Sequence, residues 1–444
     1  KAPTSEPDLE LFWKYLDQAV IKDDILKLAK GYFLGVAKYG SEMLVRPCYK
    51  DFLEYLKSTS LLISGNPGIG KTWFVFLVLY HARRTGVNVV TQNIPQLLPK
   101  FRLFSRDGSV SYSDNGIEFK PILSDPKTLY LIDGENASYS LLPARFLLVS
   151  SPQKMRYQNT IKTPQMEVRY MPRWSWSEIR QAVVSGPYCK SSDRQIIPEQ
   201  SKLVQELFMR FGGIPREVLQ DISKKSVEEA EASLKGAIAK LKLQDMITFA
   251  GDVEALDEIS RKLLHIISVK PYTAVQERVD YASDFVCRLL FEQQGERESF
   301  AKFLQGTDSA RSVWRGRCFE QQAHQRLKIG GQFNMRRLHP DGTQGKTETL
   351  DLGPSKVAIF HDIAQISAAK AKAGYLRPFS KSFCAIDALI PSQNILLQMT
   401  IRQHHPIRSW GVRQCLPHLT SQESAGFIFV VPPRRFDSFK HQSF

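Results

Sequence analysis

Cysteine is scarce in this chain of 444 residues: six, at positions 48, 189, 287, 318, 384 and 415. No two stand at metal-ligand spacing and they form no dense framework, which excludes a disulfide-stapled scaffold. They read as reduced, mostly buried thiols of an intracellular compartment. No apolar run approaches the ~20 residues needed to cross a bilayer, and no basic amphipathic helix stands out, so a membrane role ranks last. Internal repeats, low-complexity tracts, a compact nuclear-import run of Lys and Arg, and a signal peptide are all missing as well. The chain starts at Lys1, not Met, and the expectation is that a leader or N-terminal module has been removed.

What is present is an ordinary soluble composition, 43% apolar and 24% charged, over a length that favours two or three domains. Charge is less ordinary. Sixty Lys and Arg face 45 Asp and Glu, a formal net charge of +15. From Ala301 to Phe444 the count is 20 basic against 9 acidic residues, so most of the excess sits in the last third. Such a balance suits a polyanionic partner, and DNA bound through that third is the expected one.

Patterning divides the chain into five segments. Residues 1–56 read as helical, with Leu9, Leu11, Phe12, Tyr15 and Leu16 at helical spacing, then Ile25 to Ala29, then a helix over Cys48–Leu56. In 57–174 short apolar strands alternate with helices: Leu61–Ser64, Val87–Thr91, Thr128–Ile132 and Arg145–Ser150 are the strands. Runs of that length suit a parallel sheet covered on both faces. Residues 175–254 read as a helical lid and 255–300 as a linker with a helix at Ala282–Gln293. In 301–444 a helix at Ala310–Leu327 and a turn at Gly330-Gly331 precede strands at Thr347–Leu352, Val357–Phe360, Phe383–Leu389, Asn394–Ile401 and Gly426–Val431.

The firmest motif is Gly65-Asn66-Pro67-Gly68-Ile69-Gly70-Lys71-Thr72, which matches G-x-x-x-x-G-K-[ST] at every fixed position. A strand precedes it and a helix follows, as a phosphate-binding loop requires. Glycines let backbone N–H groups approach phosphate oxygens, and the helix N-terminus adds its positive end. Lys71 is expected on the β- and γ-phosphates of ATP or GTP and Thr72 on Mg²⁺. Asp133, closing the strand Thr128–Ile132, is the expected metal-side acid. Glu135 is the candidate for polarising the attacking water, although Gly134 separates it from that acid. Ser150 at a strand end is placed to sense the γ-phosphate, with Arg156 a weaker candidate, and Arg216 after Gly212-Gly213-Ile214-Pro215 marks a lid turn.

In the basic third, Asp387 ends one strand and Gln398 and Thr400 alternate along its return partner, so all three can share one side of a hairpin. A restriction-endonuclease-like core has this pattern, with Asp387 and Gln398 as metal ligands. Glu320, on the preceding helix, is an additional acid. Arg402, His404, His405 and Arg408 are positioned to clamp phosphates or assist proton transfer. Two departures stand out: Thr400 replaces the usual lysine, and Gln398 stands where Glu is commoner.

The loop Gly65–Thr72, the lid turn Gly212–Arg216, the segment from Asp387 through Gln398-Met399-Thr400 to His405-Pro406-Ile407, and Val45-Arg46-Pro47-Cys48-Tyr49 together resemble the C-terminal regions of Crinkler effectors. The retrotransposon hot spot proteins of trypanosomes share this layout. The resemblance runs from about Leu44 onward. It implies an α/β architecture, an AAA- or STAND-like P-loop NTPase with a helical lid fused to an α/β restriction-endonuclease-like domain. It further implies secretion and action in a host nucleus. The resulting expectation is a Mg²⁺-dependent NTPase coupled to a DNA-binding, DNA-cleaving unit. The alternative is a nucleotide-gated switch whose nuclease-like unit is inactive and binds DNA or a host protein. Self-association is open on either reading.

Overall fold

The computed structural model describes residues 4–5, 7–94, 100–152, 159–160, 166–184, 198–220, 226–240, 260–273, 278–294, 312–360, 363–378 and 386–442. Arg156 and the strand start at 383–385 lie outside them. The chain forms two compact units, Lys1–Val286 and Cys287–Phe444.

The first unit is built on an eight-stranded sheet. Five of its strands are parallel, in the spatial order Met166–Tyr170, Ser60–Ser64, Arg145–Val149, Leu129–Asp133, Val89–Gln92. Strands Phe101–Phe104 and Val110–Ser113 and the short Thr4–Ser5 extend it antiparallel. Because strand side chains alternate faces, Leu61, Ile63, Leu131 and Val149 meet Phe74 and Leu77 of the helix Lys71–Arg84 on one side. Leu62, Ile132 and Leu148 meet Phe119 and Leu123 on the other. Each large side chain buried there contributes ~1.5–3 kcal/mol. The parallel sheet expected from the apolar runs is thus present, with one strand, Arg145–Val149, between the strand entering the loop and the strand ending in Asp133.

One expectation in this unit needs correction and one an addition. Ile25-Leu26-Lys27 is not helical. It forms a hairpin with Val20–Lys22 across Asp23 and Asp24, both at positive φ (51° and 60°), and pairs with Glu42–Leu44 on its other side. A two-residue turn with both residues left-handed matches strand twist, and Asp tolerates that conformation. The segment 255–300, expected as a linker with a helix, has that helix and also a strand pair among its described residues. Strands Leu264–Ile267 and Arg278–Tyr281 pair antiparallel, and the helix Asp284–Gln294 follows. A run of four residues such as Leu264–Ile267 is too short to show a period that distinguishes strand from helix. Residues 175–254, expected as a helical lid, form helices over Trp176–Val184, Pro198–Phe211 and Val227–Lys240.

In the second unit the helix Ser312–Ile329 leads into a hairpin of Gly331–Met335 with Glu348–Leu352. Five strands then form a mixed sheet in chain order: Val357–Phe360, Tyr375–Pro378, Ala388–Ile390, Ile395–Met399 and Gly426–Val430. The first and last pairs are parallel and the middle two antiparallel. Phe319, Ala323 and Leu327 of the long helix pack on Ala388, Leu397 and Met399. Leu376, Leu389 and Leu396 pack on the opposite face with Ile366, Val412 and Cys415. Gly330-Gly331, expected as a turn only, ends the helix and starts the hairpin.

Gly330 has φ of 84°, and a Cβ there would lie 2.4 Å from the carbonyl oxygen of Leu352. Gly330→Ala should therefore destabilise the second unit by at least ~1–2 kcal/mol, read as a lowered denaturant midpoint. An unchanged midpoint would contradict the packing described for this helix end.

Candidate nucleotide site

The loop between Ser64 and the helix Lys71–Arg84 is shaped by three glycines at φ of 140°, 79° and 101°: Gly65, Gly68 and Gly70. A Cβ on Gly65 would stand 2.9 Å from Ile69 Cδ1, one on Gly68 2.7 Å from Arg216 Cβ, and one on Gly70 2.5 Å from the Tyr49 hydroxyl. Both conformation and space thus require glycine at these positions. The Lys71 ammonium bridges the loop, donating to the carbonyls of Gly65 (2.8 Å) and Asn66 (2.9 Å). The Thr72 hydroxyl donates to Asp133 Oδ2 at 2.8 Å. Burial is the main influence on that carboxyl and pushes its pKa up to about 6, against the lowering effects of the Thr72 hydrogen bond and the Lys71 charge.

A clamp that the sequence reading missed fixes the outer side of the loop. The Trp174 indole donates to the Ile69 carbonyl at 2.8 Å and the Tyr49 hydroxyl to the Gly70 carbonyl at 2.7 Å. Arg46, 1% exposed, reaches the Ile69 carbonyl at 3.5 Å, pairs with Glu178 at 2.8 Å and donates to the carbonyls of Pro172 and Arg173. Its guanidinium lies over the Trp174 ring, 5.0 Å from the centroid. In a planar trans peptide the N–H points opposite to the preceding C=O. Holding the Ile69 and Gly70 carbonyls on the clamp therefore turns the N–H groups of Gly70 and Lys71 away from it. The available signal was Arg46 and Tyr49 flanking Pro47 at a helix start, but Pro172, Arg173, Trp174 and Glu178, which complete the clamp, lie over a hundred residues away.

Other loop residues have structural roles. Ile69 is fully buried. The Asn66 side chain, expected at the nucleotide, exchanges two 2.8 Å hydrogen bonds with the backbone of Ile266 in the hairpin strand Leu264–Ile267. Pro67 lies half-buried between them. The lid turn does reach the loop: the Arg216 N–H donates to the Gly68 carbonyl at 3.4 Å. Beside it, the Gly213 carbonyl accepts from the Trp174 N–H at 3.0 Å. Glu135 is a different matter. Its carboxylate accepts from Gln92 Nε2 at 2.6 Å and pairs with Lys100 at 2.7 Å. That places it among polar groups of the next strand end rather than on Lys71 or Thr72. The buried hydroxyls of Ser64 and Ser150, at the ends of adjacent parallel strands, have no hydrogen-bond partner among the described residues.

This donor set fits a nucleotide with Mg²⁺. Thr72 and Asp133 offer adjacent hard oxygens, and Mg²⁺ completes its shell with phosphates and water rather than with a protein cage. The N–H groups at the start of the helix Lys71–Arg84 complete a site that suits phosphate oxygens.

The second expected metal site does not fit. Asp387 and Gln398 come together, but as hydrogen-bond partners: Gln398 Nε2 donates to Asp387 Oδ2 at 2.7 Å, and so does the Met399 N–H. Glu320 Oε1 lies 3.7 Å from His324 Nε2 on its own helix, and His324 Nδ1 is 2.8 Å from the Tyr375 hydroxyl. Among the described residues no group of three or more His, Cys, Asp and Glu side chains could hold a metal. Thr400 Oγ1 accepts from the Arg402 N–H at 3.0 Å, and the His405 N–H donates to Gln442. His405 is held below its usual pKa, chiefly by burial and further by Arg402 and Arg408, while Asp387 pulls the other way.

No protein-family model matches the chain. Two curated proteins of Phytophthora infestans do. Crinkler effector protein 15 is 28% identical over 400 residues, and Crinkler effector protein 16 is 29% identical over 399. The chain is similar to Crinkler effectors. The alignments take in 85% of it and 60% and 59% of the two relatives, so the chain spans about 60% of their length. Among solved structures, the RuvB Holliday junction branch migration motor of Thermotoga maritima aligns at 14% identity over 68% of this chain and 92% of that one, with a TM-score of 0.23. Two variants of it give 0.24 and 0.25. Likeness of that degree establishes neither fold nor function.

Two outcomes follow. Asp133 has a folded-state pKa near 6, above that of a free carboxylate at ~3.9. Between those values the folded state holds a proton that the unfolded state releases, so stability falls as pH rises through the window. At neutral pH the ionised buried carboxylate weakens the nucleotide-free protein. Asp133→Asn should therefore raise its melting temperature at pH 7.5, by about 2–6 °C, with little difference at pH 4.5. Equal melting at both pH values would contradict this assignment. Trp174→Phe keeps the ring but removes the donor to Ile69. It should weaken nucleotide binding ~5–10-fold, the size of one lost buried hydrogen bond, in a fluorescent-nucleotide titration.

Proposed function

We propose that the first unit binds and hydrolyses a nucleoside triphosphate with Mg²⁺, and that the second is a nucleic-acid-binding unit controlled by it. The observation that carries the first half is the Thr72–Asp133 pair beside a glycine loop whose Ile69 and Gly70 carbonyls are held by Trp174 and Tyr49. Mg²⁺ held by Thr72 and Asp133 would neutralise charge on the phosphates. Lys71 exchanges its two carbonyl partners for phosphate oxygens, and the N–H groups at the helix start receive the same anion. Ser150 lies at the end of the strand between the loop and the acid, where a hydroxyl can meet the terminal phosphate. Arg216 carries the lid to Gly68, so closure over nucleotide and binding of it are linked. Glu135, held by Gln92 and Lys100, is a weaker candidate for orienting water than its sequence position suggested.

For the second unit, the +11 charge of residues 301–444 supports a DNA-facing role. The strands Tyr375–Pro378, Ala388–Ile390 and Ile395–Met399 run antiparallel, the helix Ser409–Cys415 follows and Gly426–Val430 returns parallel, an order that supports the restriction-endonuclease-like reading of its core. Chemistry at Asp387 is less well supported. A carboxylate engaged by Gln398 and the Met399 N–H, with Thr400 in place of lysine, favours binding without cleavage. The similarity to Crinkler effectors supports an effector role, and with it secretion and action in a host nucleus.

Phosphate release assays test the first half. Lys71→Ala should lose turnover by at least ~100-fold, the scale of losing a transition-state charge contact. Turnover unchanged in this variant would refute the site. Plasmid nicking with Mg²⁺ or Mn²⁺, with and without ATP, tests the second. The wild type and Asp387→Ala should give the same background, and Asp387-dependent nicking would restore the nuclease reading.

A further inference from the structure

We propose that the last strand of the second unit, Gly426–Val430, is a docking edge that takes an extended, uncharged apolar segment of a partner protein as an added strand. It ends the sheet order and pairs only with Ile395–Met399. In that parallel ladder the Gly426 N–H donates to the Asn394 carbonyl and the Thr400 N–H to the Val430 carbonyl. Backbone groups of successive strand residues face opposite edges. Gly426, Ile428 and Val430 therefore serve the inner neighbour, and Phe427 and Phe429 turn their N–H and C=O groups to the open side. Among the described residues nothing bonds to those groups.

This edge runs along a groove of about 870 Å³ that has a wall on each face of the sheet. On one face Phe333 of the hairpin stands with Ile428. On the other stand Phe427 and Ile407, and Phe429 packs between Phe427 and Phe439, each ring centroid 5.2 Å from its own. Every residue of the strand is only half-buried. Exposed edges are ordinarily blunted by a lysine, a proline or a bulge. Here the register with Ile395–Met399 is unbroken, the strand carries no charge, and proline comes only after it, at Pro432 and Pro433.

An added strand answers all of these features. Its backbone supplies the partners that Phe427 and Phe429 lack, and its side chains, alternating faces, enter the two walls in turn. Main-chain bonds give such a complex its affinity, and the walls select the side chains. Both walls are apolar, so the segment is apolar on both faces over about five residues, the length of the strand. Charge finds no role in the groove: Arg336 is already paired with Asp437 at 3.4 Å, and exposed Glu348 balances exposed Arg337. A second copy is a poorer occupant than a free segment. Its own Gly426–Val430 carries a sheet on one side and a hairpin beside it, and two-fold pairing would press hairpin against hairpin. Such a site is independent of the nucleic-acid-binding reading above.

The experiment is fluorescence anisotropy on the full chain with a fluorescein-labelled probe peptide, Lys-Val-Ile-Val-Ile-Val-Lys, whose end lysines keep it soluble. Saturable binding is expected. Two further probes carry backbone N-methyl groups, one on the three valines and the other on the two isoleucines, so each loses the donors of one edge. One of them should bind at least ~10-fold more weakly than the parent, and the other within ~2-fold of it, because only one edge of the peptide meets the strand. Phe427→Pro removes an N–H that faces the groove and not the ladder, a placement that edge strands tolerate. It should weaken the parent peptide at least ~5-fold, and the methylated pair carries the test if this variant fails to fold. Absence of binding, equal binding of both methylated probes, or unchanged affinity in folded Phe427→Pro protein overturns the proposal. A dimer of the full chain that the peptide dissociates also overturns it, since a second copy then holds the edge.

Discussion

The nucleotide site depends on the orientation of two peptide groups. The Ile69 carbonyl is held by Trp174 and Arg46, and the Gly70 carbonyl by Tyr49 and the Phe74 N–H of the following helix, and planarity then fixes where the following N–H groups point. A glycine-rich loop has many conformations to lose. The clamp removes that freedom before any phosphate arrives, so binding energy is not spent on ordering the loop. It is anchored deep in the unit, because Arg46 is buried and neutralised by Glu178. Losing Glu178 would leave that guanidinium uncompensated, which costs far more than an exposed pair is worth.

The same loop is tied to the rest of its unit at two further points. Asn66 exchanges hydrogen bonds with Ile266, and Gly68 accepts from Arg216 of the lid turn. Lys71 meanwhile rests on the carbonyls of Gly65 and Asn66. When Lys71 turns to phosphate, those carbonyls lose a charged partner, and Asn66 belongs to the hairpin contact. On the proposed reading, nucleotide occupancy would thereby be linked to the strand Leu264–Ile267 and to the turn at Arg216 by contiguous hydrogen bonds. That is a route for a nucleotide signal, and it needs no residue to move far.

Much of this was legible from sequence, for local reasons. Gly65 to Thr72, the strand ahead of it, the helix after it and Asp133 at a strand end all follow from short-range pattern. The hairpin at Asp23-Asp24 and the strand Leu264–Ile267 were not legible, since runs this short carry no decisive period. Tertiary partners were invisible for a different reason. Nothing near Asn66 announces Ile266, and nothing near Glu135 announces Gln92 and Lys100. At Asp387 the spacing correctly placed Gln398 beside it, but spacing alone could not show that the amide would donate to the carboxylate rather than stand with it around a metal.

The central claim is that the glycine loop with Thr72 and Asp133 forms a Mg²⁺-nucleotide site. Calorimetric titration of the full chain with a non-hydrolysable ATP or GTP analogue tests it most directly. The account predicts saturable binding at one site per chain that weakens markedly when Mg²⁺ is chelated. Absence of binding heat with either analogue, or an affinity indifferent to Mg²⁺, would contradict it.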